Sequence, residues 1–304
     1  MPAPIAPSLL ALPSLLLLAA GLPAPAIAAA PAATTATTVF AAGDIARCVH
    51  LDAAWSGAAA TAALIEAGLA LDPVAAVLAL GDLTYPVGAP AEFTNCYGPT
   101  WGKFKDRTYP TPGNHEYATP GAAGYFGYFG AAAGPGYYSV QLGAWRLYSL
   151  NSNLAANAHA AQIAWLRGEL ARHPARCTLA YWHHPLYSSG MKGNDTRMKD
   201  AWQVLYEAGA EIVLSGHDHL YERFAPQNAS GRRDAERGMR QFVVGTGGAF
   251  PTPFLRTRAN SEARDSNHNG ILKLVLGDDG YAWQFLPVAG GGAAGPDRGS
   301  GRCH

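Results

Sequence analysis

Short apolar runs that end in glycine, proline or a polar residue recur along the chain. Six of them have the length and the punctuation of β-strands: residues 39–42, 74–80, 107–110, 177–182, 211–214 and 241–244. Most are apolar on both faces, which indicates strands buried in a sandwich or covered sheet. Two later runs, 271–276 and 281–287, flank the segment Gly277-Asp278-Asp279-Gly280, which predicts a β-hairpin.

Segments with helical character lie between the strands. Residues 53–70, 158–172 and 200–208 are predicted helices, and in the second of them Ile163, Leu166 and Leu170 share one face. Strands that alternate with helices indicate a layered α/β fold. Without an internal repeat or a long linker, we expect one domain over residues 39–289. The Gly-rich residues 290–304 are expected to form a loose C-terminal tail.

The N-terminal residues have the layout of a secretory signal peptide. The apolar run from Leu9 to Leu22 is shorter than the roughly 20 residues that a membrane-spanning helix needs. Small residues follow it, and Ala26-Ile27-Ala28 fits a cleavage site. We therefore expect a signal peptide over residues 1–28, a flexible lead-in over 29–38, and a secreted or periplasmic protein that is free of the membrane. Because no Lys or Arg precedes the run, an uncleaved membrane anchor is the alternative.

Composition narrows the classes of function. The 304 residues include 22 Lys and Arg against 22 Asp and Glu, and this even balance gives no electrostatic footprint for a nucleic acid partner. An apolar share of 49% argues against disorder of the whole chain and allows a sizeable core. Only 14% of the residues are charged, so the positions of the ten histidines become informative.

Polar residues at strand ends are the candidates for chemistry. They are Asp44, Asp82, Asn114, His183, His217 and His219. In layered α/β folds, loops at strand ends converge at one edge of the sheet. Three oxygen donors and three imidazoles, with no thiolate, suit Zn, Fe or Mn better than Ca or Cu(I). In an extended segment alternate side chains share a side, so His217 and His219 can both face a metal cluster while Asp218 points away.

Five sequence blocks resemble the signature of calcineurin-like metallophosphoesterases. The blocks are Gly43-Asp44, Gly81-Asp82, Gly113-Asn114-His115-Glu116, His183-x-Pro185 and Gly216-His217-x-His219. The resemblance implies a four-layer metallophosphoesterase fold, which is a β-sandwich flanked by helices with a two-metal centre at one edge. It also implies hydrolysis of a small phosphate-ester substrate by hydroxide that two metal ions activate.

Two of these blocks resemble one branch of the family. Asp44-Ile45-Ala46 lacks the usual histidine two positions after the aspartate, and Gly81-Asp82-Leu83-Thr84-Tyr85 is similar to the Gly-Asp-x-x-Tyr block of purple acid phosphatases. The resemblance assigns a first metal, Fe(III), to Asp44, Asp82, Tyr85 and His219. It assigns a second ion, divalent Fe, Zn or Mn, to Asp82, Asn114, His183 and His217, with Asp82 bridging. A packed aromatic ring is the alternative for Tyr85.

Several neighbouring residues have roles that the sequence leaves open. By resemblance, His115 faces the substrate and donates a hydrogen bond or a proton, without binding metal. Glu116 either orients His115 or is solvated, and His184 either supports the site or only packs. The turn at residues 245–248 either offers N–H groups to an anion or reverses the chain, which we favour. The aromatic residues 125–129 either line a pocket or pack in the core, which we favour.

The four cysteines are consistent with an oxidising compartment, since they have neither metal-finger nor C-x-x-C spacing. Cys48 and Cys96 each follow one of the first two blocks, which favours their pairing and leaves Cys177 to pair with Cys303. Four reduced, buried thiols are the alternative.

The expected function is therefore hydrolysis of phosphate monoesters by a secreted, metal-dependent phosphatase. A phosphodiesterase or nucleotidase with the same metal centre is an alternative, because the shape of the pocket decides between these substrates. A secreted protein that binds metals without catalysis is an alternative of another class. His115 argues against it, since a purely structural metal site does not require that residue.

Overall fold

The computed structural model describes residues 1–4, 36–48, 57–288 and 297–304. The chain divides into two units, Met1–Ala33 and Thr34–His304, and the fold below is that of the second unit. The expected signal peptide and its cleavage site lie outside the described residues, apart from residues 1–4. In the described part of the chain, none of the helices combines the length and the apolar character that crossing a lipid bilayer requires.

Strands and helices alternate along the second unit. The strands are β1 (Thr37–Ala42), β2 (Ala46–Arg47), β3 (Ala76–Leu80), β4 (Thr84–Tyr85), β5 (Thr108–Thr111), β6 (Tyr138–Leu142), β7 (Trp145–Ser149), β8 (Cys177–Tyr181), β9 (Ile212–Ser215), β10 (Tyr221–Phe224), β11 (Arg240–Val244), β12 (Ser261–Asp265), β13 (Gly270–Leu276), β14 (Gly280–Pro287) and β15 (Arg298–Arg302). The α-helices are α1 (Gly57–Leu71), α2 (Pro90–Glu92), α3 (Ala123–Phe129), α4 (Ala156–Arg172) and α5 (Lys199–Glu207). Short 3-10 or π-helical turns occupy Phe93–Tyr97, Trp101–Arg107, Glu116–Ala118, Pro120–Ala122, Gly130–Ala133 and Thr196–Met198.

Two mixed sheets form a sandwich. The first has the order β15-β14-β13-β1-β3-β5 and the second β12-β10-β11-β9-β8-β7-β6, while β2 and β4 form a separate two-stranded ladder. Strands β1, β3 and β5 are parallel to one another, and so are β7, β8, β9 and β11. Within each set the carboxyl ends therefore lie at one edge of the sheet. The loops that follow these strands are placed side by side.

The main core lies between the two sheets. Val39 and Leu78 of the first sheet and Leu179 and Leu214 of the second are fully buried in it. Burial of this kind needs apolar side chains at almost every position of the central strands, because helices cover the outer faces as well. The continuous apolar runs in the sequence follow from this double coverage.

Helices complete the outer layers. In α1, Gly68 lets the helix approach the ring of Phe40 in β1, since a Cβ at this position would lie 2.2 Å from that ring. On the second sheet, Leu166 of α4 and Trp202 of α5 belong to a second buried cluster with Trp182. The order helix, sheet, sheet, helix confirms the predicted sandwich flanked by helices.

The predicted strands, hairpin and helices are all present. Where the structure describes them, their ends lie within two residues of the predicted ends. The sequence interpretation missed the two-residue strands β2 and β4 and also β6, β7, β10 and β12. Strand β12 has only partly buried or exposed residues, because it lies at the edge of its sheet and has the polar sequence Ser-Glu-Ala-Arg-Asp. A strand with so little burial gives no apolar run to recognise.

The prediction of a loose C-terminal tail is wrong for its described end. Residues Arg298–Arg302 form β15, which pairs antiparallel with β14. Just before it, Asp297 accepts hydrogen bonds from the hydroxyl of Tyr221 at 2.7 Å and from the guanidinium of Arg223 at 2.8 Å. A disulfide holds Cys303 just after it. These anchors on both sides of the strand outweigh the flexibility that its glycines confer.

Both of the favoured cysteine pairs form disulfides, Cys48 with Cys96 and Cys177 with Cys303. The first links the segment that follows Asp44 to the segment that follows Asp82. The second links the beginning of β8 to the end of β15. The two bonds therefore act at different places, since the candidate metal ligands follow the carboxyl ends of the strands whereas Cys177 stands at an amino end.

Removal of each disulfide should have a different effect on the metal centre. Replacing Cys177 and Cys303 by Ala opens a link across 126 positions and is expected to lower the free energy of unfolding by about 2–5 kcal/mol. Metal content should stay at the wild-type level. Replacing Cys48 and Cys96 by Ala should lower both stability and metal content, because it frees two ligand-bearing loops. Thermal unfolding and metal analysis of the two variants check this, and equal metal loss in both would contradict it.

Candidate metal centre

The polar residues predicted at strand ends meet at one edge of the sandwich. Asp44 follows β1, Asp82 follows β3 and Asn114 follows β5 in the first sheet. From the second sheet, His183 follows β8, and the pair His217 and His219 follows β9. The two sheets are joined at this edge by main-chain hydrogen bonds, such as that from the N–H of Gly43 to the carbonyl of Val244 at 2.9 Å. Donors that are distant in sequence thereby become neighbours.

Asp44, Tyr85 and His219 form one group of donors. The phenol of Tyr85 donates to Oδ1 of Asp44 at 2.8 Å, and Nε2 of His219 lies 3.2 Å from the same carboxylate oxygen. The same nitrogen is 3.2 Å from the phenolic oxygen. Asp44 and Tyr85 are both buried. Three donor atoms within hydrogen-bond distance of one another can face a single cation.

Asp82, His183 and His217 form a second group, and one donor atom of each lies within 4.8 Å of the others. Nε2 of His183 is 3.1 Å from Oδ2 of Asp82 and 3.2 Å from Nδ1 of His217. Nearby at the end of β5, Oδ1 of Asn114 is buried and has no hydrogen-bond partner among the described residues. A buried acceptor without a partner is suited to binding a metal ion, because leaving such an oxygen unpaired costs free energy.

Asp82 stands between the two groups. Its Oδ2 is 3.1 Å from His183 in the second group and 3.3 Å from the hydroxyl of Tyr85 in the first. Its other oxygen, Oδ1, accepts the main-chain N–H of His115 at 2.8 Å, which fixes the carboxylate plane. A carboxylate held in this way can serve two cations at once.

The loops that carry the candidate metal ligands, called the ligand loops below, have unusual backbone conformations. Asp44, Asp82 and His217 have φ values of 60°, 51° and 71°, in the left-handed region that non-glycine residues rarely adopt. Such conformations cost of order 1–3 kcal/mol each and persist where surrounding structure enforces them. The glycine before Asp82 is required by close packing, since a Cβ on Gly81 would lie 2.7 Å from the ring of His183. The Gly-Asp blocks thus reflect crowding at the site.

Main-chain carbonyl groups orient two of the imidazoles. Nδ1 of His183 donates to the carbonyl of Leu80 at 2.9 Å, and Nδ1 of His219 donates to the carbonyl of Phe250 at 2.9 Å. A carbonyl oxygen can only accept, so Nδ1 carries the hydrogen. In the neutral ring, Nε2 then presents its lone pair to the centre, which is the arrangement that metal-binding histidines adopt.

Charges in the cluster compensate one another. Burial acts to raise the pKa of Asp44 and Asp82, but the neighbouring imidazoles outweigh it and hold both pKa values below their usual range. Burial acts to lower the pKa of His183, but Asp82 raises it to about 9. For His217, burial and the charge of His183 lower the pKa to about 3. The carboxylates are therefore ionised and accompanied by positive charge, which a metal ion can replace with release of protons.

His115 stands at the mouth of the centre. Its Nδ1 donates to the carbonyl of Pro86 at 2.6 Å, and its ring centroid is 4.4 Å from that of Tyr85. Nε2 lies 3.8 Å from Oδ2 of Asp82, and 29% of the side chain is exposed. The exposed ring is therefore available to a molecule that approaches the metal ligands from solvent.

Glu116 fastens the ligand loops together. It is fully buried, and its two oxygens accept four main-chain N–H groups, from Gly113 at 2.7 Å, Leu83 at 2.8 Å, Asp82 at 2.9 Å and Thr84 at 3.3 Å. Burial raises its pKa to about 8, while these donors act in the opposite direction. The alternative of a solvated Glu116 is therefore wrong. Orientation of the His115 ring is also not its role, since the ring is held by Pro86.

His184 supports the site from behind. It is buried, its Nδ1 lies 2.8 Å from Oγ of Ser152, and its ring centroid is 4.3 Å from that of His217. Burial and the charge of His183 place its pKa far below the usual range, so the ring is neutral. His184 therefore packs against a candidate ligand and limits where that ligand can point.

Two features that the sequence left open belong to the scaffold. In the turn at residues 245–248, the N–H of Gly247 donates to the carbonyl of Gly43 at 2.8 Å, so that this N–H is not free for an anion. Chain reversal under the site is the supported role. In the aromatic segment, Tyr125 and Phe129 are buried and pack together with ring centroids 5.4 Å apart. Core packing is thus confirmed for both of these rings.

Sequence reasoning did not find the groups that orient the imidazoles, because main-chain carbonyl groups leave no signature in a sequence. Asp218, which was expected to point away from the cluster, accepts Oγ–H of Ser188 at 2.6 Å and N–H of Lys192 at 2.9 Å. The sequence signal for a supporting role of Asp218 was its position between the two histidines of the His-x-His block. It anchors the loop that precedes Lys192 beside the ligands.

The family described as calcineurin-like phosphoesterase matches residues 37–221, which is more than half of the chain. The chain belongs to this family. The matched segment begins with β1 and ends just after His219, so it contains every candidate ligand.

Relatives of this calcineurin-like phosphoesterase include purple acid phosphatases. Purple acid phosphatase 15 of Arabidopsis thaliana is 37% identical over 93 residues, which is 29% of this chain and 18% of that protein. Purple acid phosphatase 21 of the same plant is 29% identical over 150 residues, which is 46% of this chain and 34% of that protein. The matches therefore span about a fifth to a third of the length of these two relatives.

Solved structures share the fold of this calcineurin-like phosphoesterase. Purple acid phosphatase PPD1 from yellow lupin (Lupinus luteus) aligns with a TM-score of 0.67 and 20% identity, over 87% of this chain and 54% of that chain. GAP50 of Plasmodium, described as the anchor in the inner membrane complex, aligns with a TM-score of 0.66 and 15% identity, over 88% and 89% of the two chains. At these identities the likeness concerns the fold alone.

Glu116→Gln should weaken metal binding. The amide nitrogen cannot accept an N–H, so at least one main-chain donor of the ligand loops loses its partner. We expect a loss of about 1–3 kcal/mol in the free energy of unfolding and about a 10- to 100-fold lower metal affinity, as for other residues that orient ligands. Denaturant unfolding and competition with a metal chelator measure the two effects.

Glu211→Gln is the matched control. Glu211 is also buried, accepts the N–H of Thr178 at 2.6 Å, and lies before β9 and therefore away from the ligand edge. Its replacement should lower stability while metal affinity stays unchanged. Wild-type metal affinity in Glu116→Gln, or an equal loss in both variants, would show that Glu116 does not organise the ligand loops.

Proposed function

We propose that the chain is a secreted phosphatase that hydrolyses phosphate monoesters at a centre of two metal ions. The observation that carries the proposal is the placement of Asp82 between two groups of donor atoms. Membership of the calcineurin-like phosphoesterase family and the similarity to purple acid phosphatases support it.

The residues of the centre fit a pair of cations. Asp44, Asp82, Tyr85 and His219 would hold the first ion, and Asp82, Asn114, His183 and His217 would hold the second. The fit rests on three observations: the orphaned Oδ1 of Asn114, the fixed tautomers of His183 and His219, and the contact of Asp82 with both groups.

We propose Fe(III) for the ion beside Tyr85 and divalent Fe, Zn or Mn for the other. Once ionised, the phenol of Tyr85 would be the third anionic oxygen donor at this buried site, beside the carboxylates of Asp44 and Asp82. Hard anionic oxygen donors suit a hard trivalent cation. The second group has one carboxylate, one amide oxygen and two imidazoles, which suit a divalent ion.

The bound ions would supply Lewis-acid activation of a water molecule and of the phosphate group. Residues of this chain provide the remaining functions. Because Nδ1 of His115 keeps its hydrogen in the bond to Pro86, Nε2 of the doubly protonated ring is the atom that can donate a proton to the oxygen of the leaving alcohol, which leaves the ring neutral. General acid assistance of this kind contributes about 10²- to 10⁴-fold to the rate. Glu116 keeps the loops of Asp82 and Asn114 in place during turnover.

Secretion is the proposed location. The N-terminal sequence has the signal-peptide layout described above. The two disulfides add support, because disulfides form and persist mainly in oxidising compartments outside the cytosol.

Variants of Asp82 and His115 should separate metal binding from proton donation. Asp82→Ala is expected to lose both metal and activity, since this carboxylate serves both ions. His115→Ala should keep its metal and lose about 10²- to 10⁴-fold in kcat. Metal analysis and assays with p-nitrophenyl phosphate, a monoester, and bis(p-nitrophenyl) phosphate, a diester, test the proposal. Turnover by Asp82→Ala would contradict the mechanism, and so would loss of metal from His115→Ala.

Relative rates on those two esters decide between the phosphatase and a phosphodiesterase. A second candidate is a metal-binding protein without catalysis, since the clustered donor atoms would hold a metal ion whether or not an ester is hydrolysed. Bound metal with no turnover on either ester would support that candidate and refute the phosphatase.

Tyr85→Phe tests the metal assignment. A phenolate bound to Fe(III) gives a charge-transfer band in the visible spectrum, so the purified protein is expected to be coloured. The variant should lose the band, whereas Tyr125→Phe, which alters a buried phenol of the core, should retain it. A colourless wild-type protein with two divalent ions, or an unchanged band in Tyr85→Phe, would refute the assignment.

A further inference from the structure

Exposed apolar side chains are concentrated around the metal centre. In the described part of the second unit, six large apolar side chains are exposed, and four of them lie on loops that carry or contact the candidate ligands: Val87, Met191, Phe250 and Leu255. Val87 follows Pro86, whose carbonyl holds His115. The carbonyl of Phe250 holds His219. Exposed apolar groups beside a polar centre indicate a binding surface for something partly apolar.

Phe250 and Arg47 lie next to each other at the rim of the candidate metal centre. Phe250 is 72% exposed, and the guanidinium carbon of Arg47 lies 4.1 Å from the centroid of its ring. Both residues are attached to the first donor group: Phe250 through its bond to His219, and Arg47 because it is the partner of Tyr85 in the ladder of β2 and β4. An aromatic face and a positive charge are thus fixed at one place beside the centre.

Two contacts connect this place to the proposed proton donor. The ring of His115, the proposed donor to the leaving oxygen, packs against that of Tyr85 at an interplanar angle of 55°, and Tyr85 is the strand neighbour of Arg47. Val87 lies beside His115, and Arg47 and Phe250 lie beyond Tyr85, so an alcohol that takes a proton from His115 and extends over Tyr85 meets these side chains. The chemistry of that surface favours alcohols that are flat, apolar and anionic.

We propose that Phe250 and Arg47 form a leaving-group subsite, which selects phosphate esters whose alcohol carries an aromatic ring and a further negative charge. The ring stacks on Phe250, and the additional anion pairs with Arg47. This inference rests on the proposed function, because it concerns the alcohol side of the same reaction.

Benzyl phosphate and ethyl phosphate test the aromatic part. Their leaving alcohols have similar basicity, so a difference in kcat/KM reports recognition of the ring. We expect the wild-type protein to prefer benzyl phosphate by about 3- to 10-fold. Phe250→Ala should abolish the preference, measured as the ratio of kcat/KM for the two esters within the variant so that a general change in activity cancels, and Phe250→Tyr should retain it. Val74→Ala is the control, since Val74 is 79% exposed and precedes β3, at the strand end opposite Asp82.

The charged part is tested with 4-carboxybenzyl phosphate against benzyl phosphate. An exposed ion pair predicts a preference of about twofold to fivefold for the carboxylated ester. Arg47→Gln should remove it, and Arg47→Lys should retain part of it. Calorimetric dissociation constants for ethylphosphonate, benzylphosphonate and 4-carboxybenzylphosphonate, which cannot be hydrolysed, provide a readout that does not depend on turnover.

The possible results distinguish a failure of the proposed subsite from a failure of the proposed function. Hydrolysis of the esters with the same benzyl-to-ethyl ratio in wild type and Phe250→Ala would refute the subsite and leave the proposed function standing. Selective phosphonate binding that Phe250→Ala abolishes, without hydrolysis of any ester, would support the subsite and refute the proposed function. A carboxylate preference that survives Arg47→Gln would refute the role of Arg47.

Discussion

Two buried carboxylates, Asp44 and Asp82, set the requirements that the rest of the site meets. The phenol of Tyr85 contacts both, at 2.8 and 3.3 Å, so the carboxylates lie close together in a place without solvent. Like charges at such a distance need positive charge beside them. The imidazoles meet this need, and their orientation toward the carboxylates prepares the cluster to exchange protons for metal ions. The strained backbone at Asp44, Asp82 and His217 is the conformational cost of bringing these groups together.

The sandwich serves this requirement by its topology. Two sets of parallel strands, one in each sheet, end at the same edge, so donors from both sheets meet without long loops. Glu116 then links the loops after β3 and β5, and the carbonyl groups of Leu80 and Phe250 fix two of the imidazoles. The candidate metal ligands, their supports and the proposed proton donor therefore belong to one continuous set of contacts. The side chains of Phe250 and Arg47 lie at its border, although the carbonyl of Phe250 is one of the supports.

Much of this could be predicted from the sequence, for physical reasons. Buried parallel strands produce apolar runs, and five of the six runs are followed by a polar residue that a strand does not need, so both the fold class and the candidate ligands were visible. The interior strands were easier to predict than the strands at the edges of the sheets. Strand β12 is polar because it is exposed, and β15 is anchored by Asp297 and Cys303 rather than by apolar side chains. The role of Glu116 was hidden because its partners are main-chain N–H groups. The rim escaped notice because Phe250 and Arg47 are distant in sequence and each is ordinary by itself.

Anomalous diffraction from crystals of the purified protein tests the central claim most directly. If Asp82 bridges two ions, maps calculated at the absorption edges of iron and of the other candidate metals will show two peaks, one on each side of Oδ2 of Asp82. The iron peak will lie within bonding distance of the Tyr85 oxygen, and the other will lie beside Asn114, His183 and His217. A single peak, or two peaks that do not share Asp82, would contradict the bridged two-metal centre.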